Sequence, residues 1–172
     1  MTYDATLVAN NVLYRANRSD PRVIITPLKL QKVLYFVASE YAKKTGRSLF
    51  FEHFQTWEYG PVLLSVYREF RPFSKSTIDA YAKDAAGRAY MADESNDPDL
   101  RQTIDRVWDA TRGHPGTVLS RITHAEDSAW DKAYQGNKPF LDDDDVKEDR
   151  TYYPALFPGE TTADGKIGRA HV

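Results

Sequence analysis

The stretch TPLKLQKVLYFVASEYAKKTG, Thr26 to Gly46, decides the fold. Threonine at the start of a helix accepts a hydrogen bond from a free backbone N–H, and proline in the first helical position gives up no bond the helix would have made. Leu30, Val33, Leu34, Val37 and Tyr41 then recur at i, i+3, i+4, i+7 and i+11, a stripe for one buried face. Lys43 and Lys44 suit the negative end of a helix, and Gly46 stops it.

Working outward, Ala5, Val8, Ala9, Val12, Leu13 and Ala16 predict an earlier helix behind an Asp4 cap, closed by Asn17 to Pro21. After Gly46 the pattern changes. Leu49, Phe50, Phe51, Phe54, Trp57 and Tyr59 are rich in aromatics without a helical stripe, which predicts a short strand or extended pair between Ser48 and Tyr59. Gly60-Pro61 reads as the turn into a third helix carrying Leu63, Val66, Tyr67 and Phe70. Residues 71–98 hold no sustained period, and a second strand is expected around Ala89-Tyr90-Met91. Leu100, Ile104, Val107, Trp108 and Thr111 predict a fourth helix ended by Gly113. Val118, Leu119 and Ile122 predict a fifth, and Trp130 and Ala133 a sixth behind Asp127-Ser128. Asp142 to Asp145 suit one more helix start before Val146. The fold class expected is mainly α: a single compact helical domain with a small β-hairpin or short strand.

Composition narrows the function. Apolar residues make up 41% and charged residues 28% of the 172, the balance of an ordinary globular chain. There is no cysteine, which removes disulfides, thiolate zinc sites and cysteine nucleophiles together. Apolar runs fall far short of the ~20 residues needed to cross a bilayer, and Met1-Thr2-Tyr3-Asp4 has no secretory character, so the expected compartment is the cytoplasm with no membrane partner. Residues 1–86 carry 12 Lys/Arg against 8 Asp/Glu, and residues 87–172 carry 11 against 17; solvated faces account for such an asymmetry.

Chemistry is sparse. The histidines, His53, His114, His124 and His171, have no metal-ligand spacing, and Asp142–Asp145 lack the glycine and spaced oxygens of a calcium loop. No phosphate loop or nucleophile elbow is present. A hydrolytic or metal-dependent reading would rest on His124 and Glu126; a helix cap or loop hydrogen bond is the favoured role for His124. Lys29, Lys32, Lys43, Lys44 and Arg47 form a modest basic set in a chain of pI ≈ 6.1, which argues against nucleic acid as partner. These readings assign no catalytic residue, metal or cofactor, and the expectation is a protein that is not an enzyme. The unusual quantity is the aromatic load, 13% with 11 tyrosines, the residue type that anchors protein interfaces.

Thr26-Pro27-Leu28-Lys29-Leu30-Gln31-Lys32-Val33-Leu34-Tyr35-Phe36, followed by Gly46-Arg47-Ser48-Leu49-Phe50, resembles the opening of the Panacea domain, the antitoxin domain of SocA-like and phage-associated proteins. The likeness continues through Phe54-Gln55-Thr56-Trp57-Glu58-Tyr59-Gly60-Pro61-Val62, Val66-Tyr67 and Phe70, and returns at Leu119-Ser120-Arg121-Ile122-Thr123-His124 with Trp130 and Ala133. It implies one mainly helical antitoxin domain over residues 1–157. The implied partner is a cognate toxin neutralised by direct binding. A second implied role is that of an adaptor handing its partner to an ATP-dependent protease. Of the motif residues, Gln31, Lys32, Tyr35, Glu58, Tyr59 and Tyr67 keep polar groups that can face a groove and are the candidate partner-binding set. Leu30, Leu34, Trp57, Gly60, Pro61, Thr123, His124 and Trp130 read as structural. Residues 158–172 are expected to be a tail, and within it Lys166-Ile167-Gly168-Arg169-Ala170-His171-Val172 resembles a sequencing adapter translated in frame.

Overall fold

A computed structural model describes residues 1–160. The tail beyond Glu160, including the adapter-like 166–172, lies outside the described residues. Eight α-helices are present among them: α1 (Ala5–Arg18), α2 (Pro27–Thr45), α3 (Leu64–Phe70), α4 (Pro98–Thr111), α5 (Gly116–Thr123), α6 (Ala129–Gln135), α7 (Asp143–Glu148) and α8 (Tyr153–Leu156). One antiparallel hairpin, β1 (Gln55–Trp57) and β2 (Gly60–Val62), pairs Gln55 with Val62 and Trp57 with Gly60. None of these helices is long and apolar enough to cross a membrane.

Helix α2 is built as its ends predict. The Thr26 hydroxyl accepts from the Lys29 N–H, Pro27 occupies the first turn, and Gly46 closes the helix in the left-handed region at φ 76°. Its surroundings differ from the expected one-sided packing. Helices α1, α3, α4, α5 and α7 and strand β2 all pack on α2, and every residue from Lys29 to Ala42 is buried. The apolar stripe therefore meets one half of the molecule, and the polar residues on the remaining faces are enclosed as well. A buried polar group is tolerable only when bonded, and each of these is. The Lys29 ammonium donates to the Arg112 carbonyl at 2.7 Å, the Ser39 hydroxyl to the Val146 carbonyl at 2.7 Å, and the Tyr35 hydroxyl to the Asp149 carboxylate at 2.5 Å. Glu40 accepts from the hydroxyls of Tyr152 and Tyr153 and from the Arg106 guanidinium. Burial disfavours its charge, but the Tyr152 bond, the Lys43 charge and the other donors hold Glu40 below the usual carboxylate range. This network fastens the stretch from Asp149 through α8, which no sequence pattern announced, onto the central helix.

Two further expectations are corrected. Gly60-Pro61 does not turn the chain into α3: the turn is Glu58-Tyr59, Gly60-Pro61-Val62 is strand β2, and α3 begins at Leu64. No strand forms at Ala89–Met91. The 71–98 stretch contains only two 3-10 turns, Arg71–Phe73 and Glu94–Asn96, and its ladder partner is a pair of side chains. The Asn10 amide donates to the carbonyls of Ala82 and Tyr90 and accepts from the Ala82 N–H. The Asn11 amide does the same for Ala92, accepting from its N–H at 2.9 Å and donating to its carbonyl at 3.0 Å. Two buried asparagines on α1 thus replace the neighbouring strand the segment lacks.

Candidate functional site

The candidate site is the hairpin and the groove beside it. Successive carbonyls of the hairpin are each taken by a side chain from elsewhere. Trp130 Nε1 donates to the Trp57 carbonyl at 2.7 Å, His124 Nε2 faces the Glu58 carbonyl at 2.8 Å, and the Ser120 hydroxyl donates to the Tyr59 carbonyl at 2.5 Å. Lys32 Nζ donates to the Pro61 carbonyl at 3.0 Å. At Leu63 the Gln31 amide binds both ways, its Nε2 donating to the carbonyl at 3.0 Å and its Oε1 accepting from the N–H at 2.8 Å. Gly60 completes the clamp. Its φ of 113° is open to glycine alone, and a Cβ there would lie 2.6 Å from Thr123 Oγ1.

Lys32 is the least usual member. It is fully enclosed, and burial alone pulls its ammonium down to about 7. Its Nζ has no carboxylate partner among the described residues, so its anchorage is the Pro61 carbonyl.

The clamp presents a groove of about 420 Å³ lined by Pro27, Leu28, Trp57, Tyr59, Val66, Tyr67 and Phe70, among others. Trp57 and Tyr67 meet edge to face at 4.7 Å, and Trp57 Nε1 donates to the Gln55 side chain. Tyr59 is 66% and Tyr67 38% exposed; Phe51, Tyr90, Tyr134 and Phe140 are exposed as well, but Tyr59 and Tyr67 are the exposed rings that line this groove. Such a concave apolar wall with exposed tyrosines suits an anchor residue of a protein partner.

The candidate partner-binding residues therefore divide. Glu58, Tyr59 and Tyr67 are exposed at the groove and the hairpin tip. Gln31, Lys32 and Tyr35 lie inside, and their polar atoms are spent on Leu63, Pro61 and Asp149. Gln31 also reaches the groove lining, from beneath. Among residues read as structural, Leu30 and Leu34 are core, Trp57 forms a groove wall, and Gly60, Pro61, Thr123, His124 and Trp130 belong to the clamp. Ser120 was not singled out, although its place one turn before His124 on α5 signalled a shared face. His124 closes α5, faces the Ser120 and Glu58 carbonyls and packs on the Trp130 ring at 4.0 Å. No hydrogen bond joins it to Glu126, which is exposed. Asp142 caps α7 through the N–H groups of Asp144 and Asp145, and no group of residues among those described has the makings of a metal site.

Comparison with known proteins identifies the family. The profile of a family described as "Antitoxin SocA-like, Panacea domain" matches residues 30–131, a span that runs from the core of α2 through the hairpin to Trp130 and Asp131. A curated relative, the antitoxin SocA of Caulobacter vibrioides (strain NA1000 / CB15N), is 32% identical over 136 residues, covering 77% of this chain and 71% of that protein. No solved structure matches. The clamp residues from Gln31 to Trp130 all fall inside the matched span, and the chain belongs to the SocA-like antitoxin family built on the Panacea domain.

Proposed function

We propose that this protein is an antitoxin that neutralises a cognate toxin protein by binding it directly, with the groove beside the hairpin as the contact. The observation that carries the reading is the pairing of exposed Tyr59 and Tyr67 with an apolar groove on a hairpin whose Trp57, Glu58, Tyr59 and Pro61 carbonyls are each held by a side chain from behind. A surface fixed before binding loses little conformational entropy on association, which favours tight sequestration. Nanomolar affinity corresponds to ~12 kcal/mol, within reach of a standard-sized interface with a few aromatic anchors. Family membership supports the antitoxin role, and no side-chain arrangement described above supplies a rival chemistry.

The test is co-expression with the product of the adjacent open reading frame. Growth arrest by that product alone, rescue by this protein, and co-purification of the two are expected. Tyr59→Ala and Tyr67→Ala together should weaken the complex at least tenfold while leaving the circular dichroism spectrum of the free protein unchanged and lowering its melting temperature by only a few degrees, from the lost Trp57–Tyr67 contact. A neighbour that is harmless and does not co-purify would remove the reading. Rescue and affinity unaltered by the double substitution would move the contact away from the groove.

A further inference from the structure

The hairpin has a third strand-like neighbour. Gln55 makes an antiparallel bridge to Phe140, with the Thr56 N–H donating to the Pro139 carbonyl and the Leu141 N–H to the Phe54 carbonyl, both at 2.9 Å. Backbone groups alternate sides along a strand. Since residues 139 and 141 face β1, residues 138, 140 and 142 face away from it. Among the described residues, the N–H and C=O of Phe140, the N–H of Asp142 and the C=O of Lys138 have no hydrogen-bond partner. Lys138, Pro139, Phe140 and Asp142 are all exposed, and the Phe140 ring is 47% so. This is an open sheet edge.

Edges are normally blunted by proline, by lysine or by shortness. Pro139 does not blunt this one, because its missing N–H would have pointed inward, towards β1. Lys138 is a guard only if nothing across the edge neutralises it. We propose that the occupant of this edge is the same edge of a second copy of the chain, paired antiparallel about a two-fold axis at Phe140. In that register each Phe140 exchanges both backbone bonds with its counterpart, and each Asp142 N–H donates to the Lys138 carbonyl of the other copy. All four free groups are satisfied, and they are the only ones the register needs, since the Lys138 N–H is already given to Ala133 and the Asp142 carbonyl already accepts from Val146. Charge agrees with the pairing. Lys138 stands opposite Asp142 of the other copy, near the carboxylates that open α7, whereas a parallel pairing would set like charges together. Two-fold pairing of one patch with itself is the commonest form of self-association.

The edge is short, so the dimer is weak, with dissociation in the micromolar range or above. Sedimentation equilibrium of the full chain, from low micromolar to several hundred micromolar, reads it directly. The expected result is a reversible monomer–dimer equilibrium. Phe140→Pro removes an outward N–H while sparing every inward bond and should weaken dimerisation at least tenfold. Lys138→Glu sets a carboxylate opposite Asp142 and should weaken it several-fold, less so in high salt. Circular dichroism confirms that both variants are folded. A monomer at all concentrations, or a dimer that either substitution leaves at wild-type strength, would overturn the proposal. The outcome is independent of toxin binding, which the growth assay reads separately.

Discussion

Replacing Gln31 by methionine separates a residue that holds the site from one that touches a partner. The two side chains have similar length and volume, so packing is retained while both hydrogen bonds to Leu63 are lost. The two Leu63 groups do not suffer equally. Its carbonyl also accepts from the Tyr67 N–H at 3.0 Å and keeps that bond, whereas the Gln31 Oε1 is the sole partner recorded for its N–H. Leaving a buried N–H unpaired costs ~1–3 kcal/mol, and losing one of two bonds to a carbonyl adds ~0.5–1.5 kcal/mol. A destabilisation of about 2–4 kcal/mol follows, which for a chain of this size lowers the melting temperature by roughly 5–15 °C. Urea unfolding followed by circular dichroism measures it: with a slope of ~2 kcal/mol per molar, the midpoint falls by about 1–2 M and the slope itself is unchanged. A loss below ~0.5 kcal/mol would refute the reasoning, because it would mean that Leu63 is supported by something other than this amide.

Lys32 predicts an unusual pH dependence. Its ammonium titrates near 7 when folded against ~10.4 when unfolded, so between those values the unfolded chain holds the extra proton and stability rises with pH, by at most ~1.4 kcal/mol per unit. Unfolding free energies at pH 7 and 8.5 should show a rise that Lys32→Met reduces; equal slopes in the two proteins would contradict the assignment. Asn11→Ala should loosen the 71–98 segment by ~2–3 kcal/mol, since the Ala92 N–H and carbonyl lose their partner. Limited proteolysis would then cut within that segment while α2 keeps its amide protection, and an unchanged cleavage pattern counts against the pinning role. Gly60→Ala should destabilise by more than ~2 kcal/mol through strain at positive φ and its clash with Thr123, and Thr123→Ala should recover about 1 kcal/mol of that in a double-mutant cycle. Strictly additive losses would show that the clash is absent.

The ends of α2 were legible because capping is local: Thr26, Pro27 and Gly46 each act within one turn of where they stand. The Gly60-Pro61 pair misled because the same dipeptide opens helices and sits in strands, and here the deciding fact is pairing with Thr56 and Trp57. The 71–98 segment was illegible for a different reason. Its backbone partners, Asn10 and Asn11, lie 72 to 81 positions away, and no periodicity within the segment encodes them. Among the site residues, Tyr59 was legible as an aromatic with no helical stripe to join, whereas Tyr67 shares the α3 stripe of Leu63, Val66 and Phe70, and its exposure could not be read from spacing. Gln31, Lys32 and Tyr35 were read as groove-facing because polar residues opposite an apolar stripe normally meet solvent. Gln31, Tyr35 and Ser39 nevertheless recur every fourth residue, a second stripe, polar and with Lys43 in line after it. On a helix enclosed on all sides, such a stripe marks an internal bonding face.

The asparagine pins have a consequence for how this protein can change. They grip peptide groups, and at Ala82 and Ala92 the gripped residues contribute little more than a methyl. Any chain that brings two suitably spaced peptide units to α1 would meet the same requirement, whatever side chains it carries between them. The side chains of Tyr90 and Met91 lie on the surface and take no part in the grip, which at Tyr90 uses only the carbonyl. The segment is a socketed insert, open to grafting in the laboratory and to rapid divergence in nature, while the helical frame beneath it stays the same.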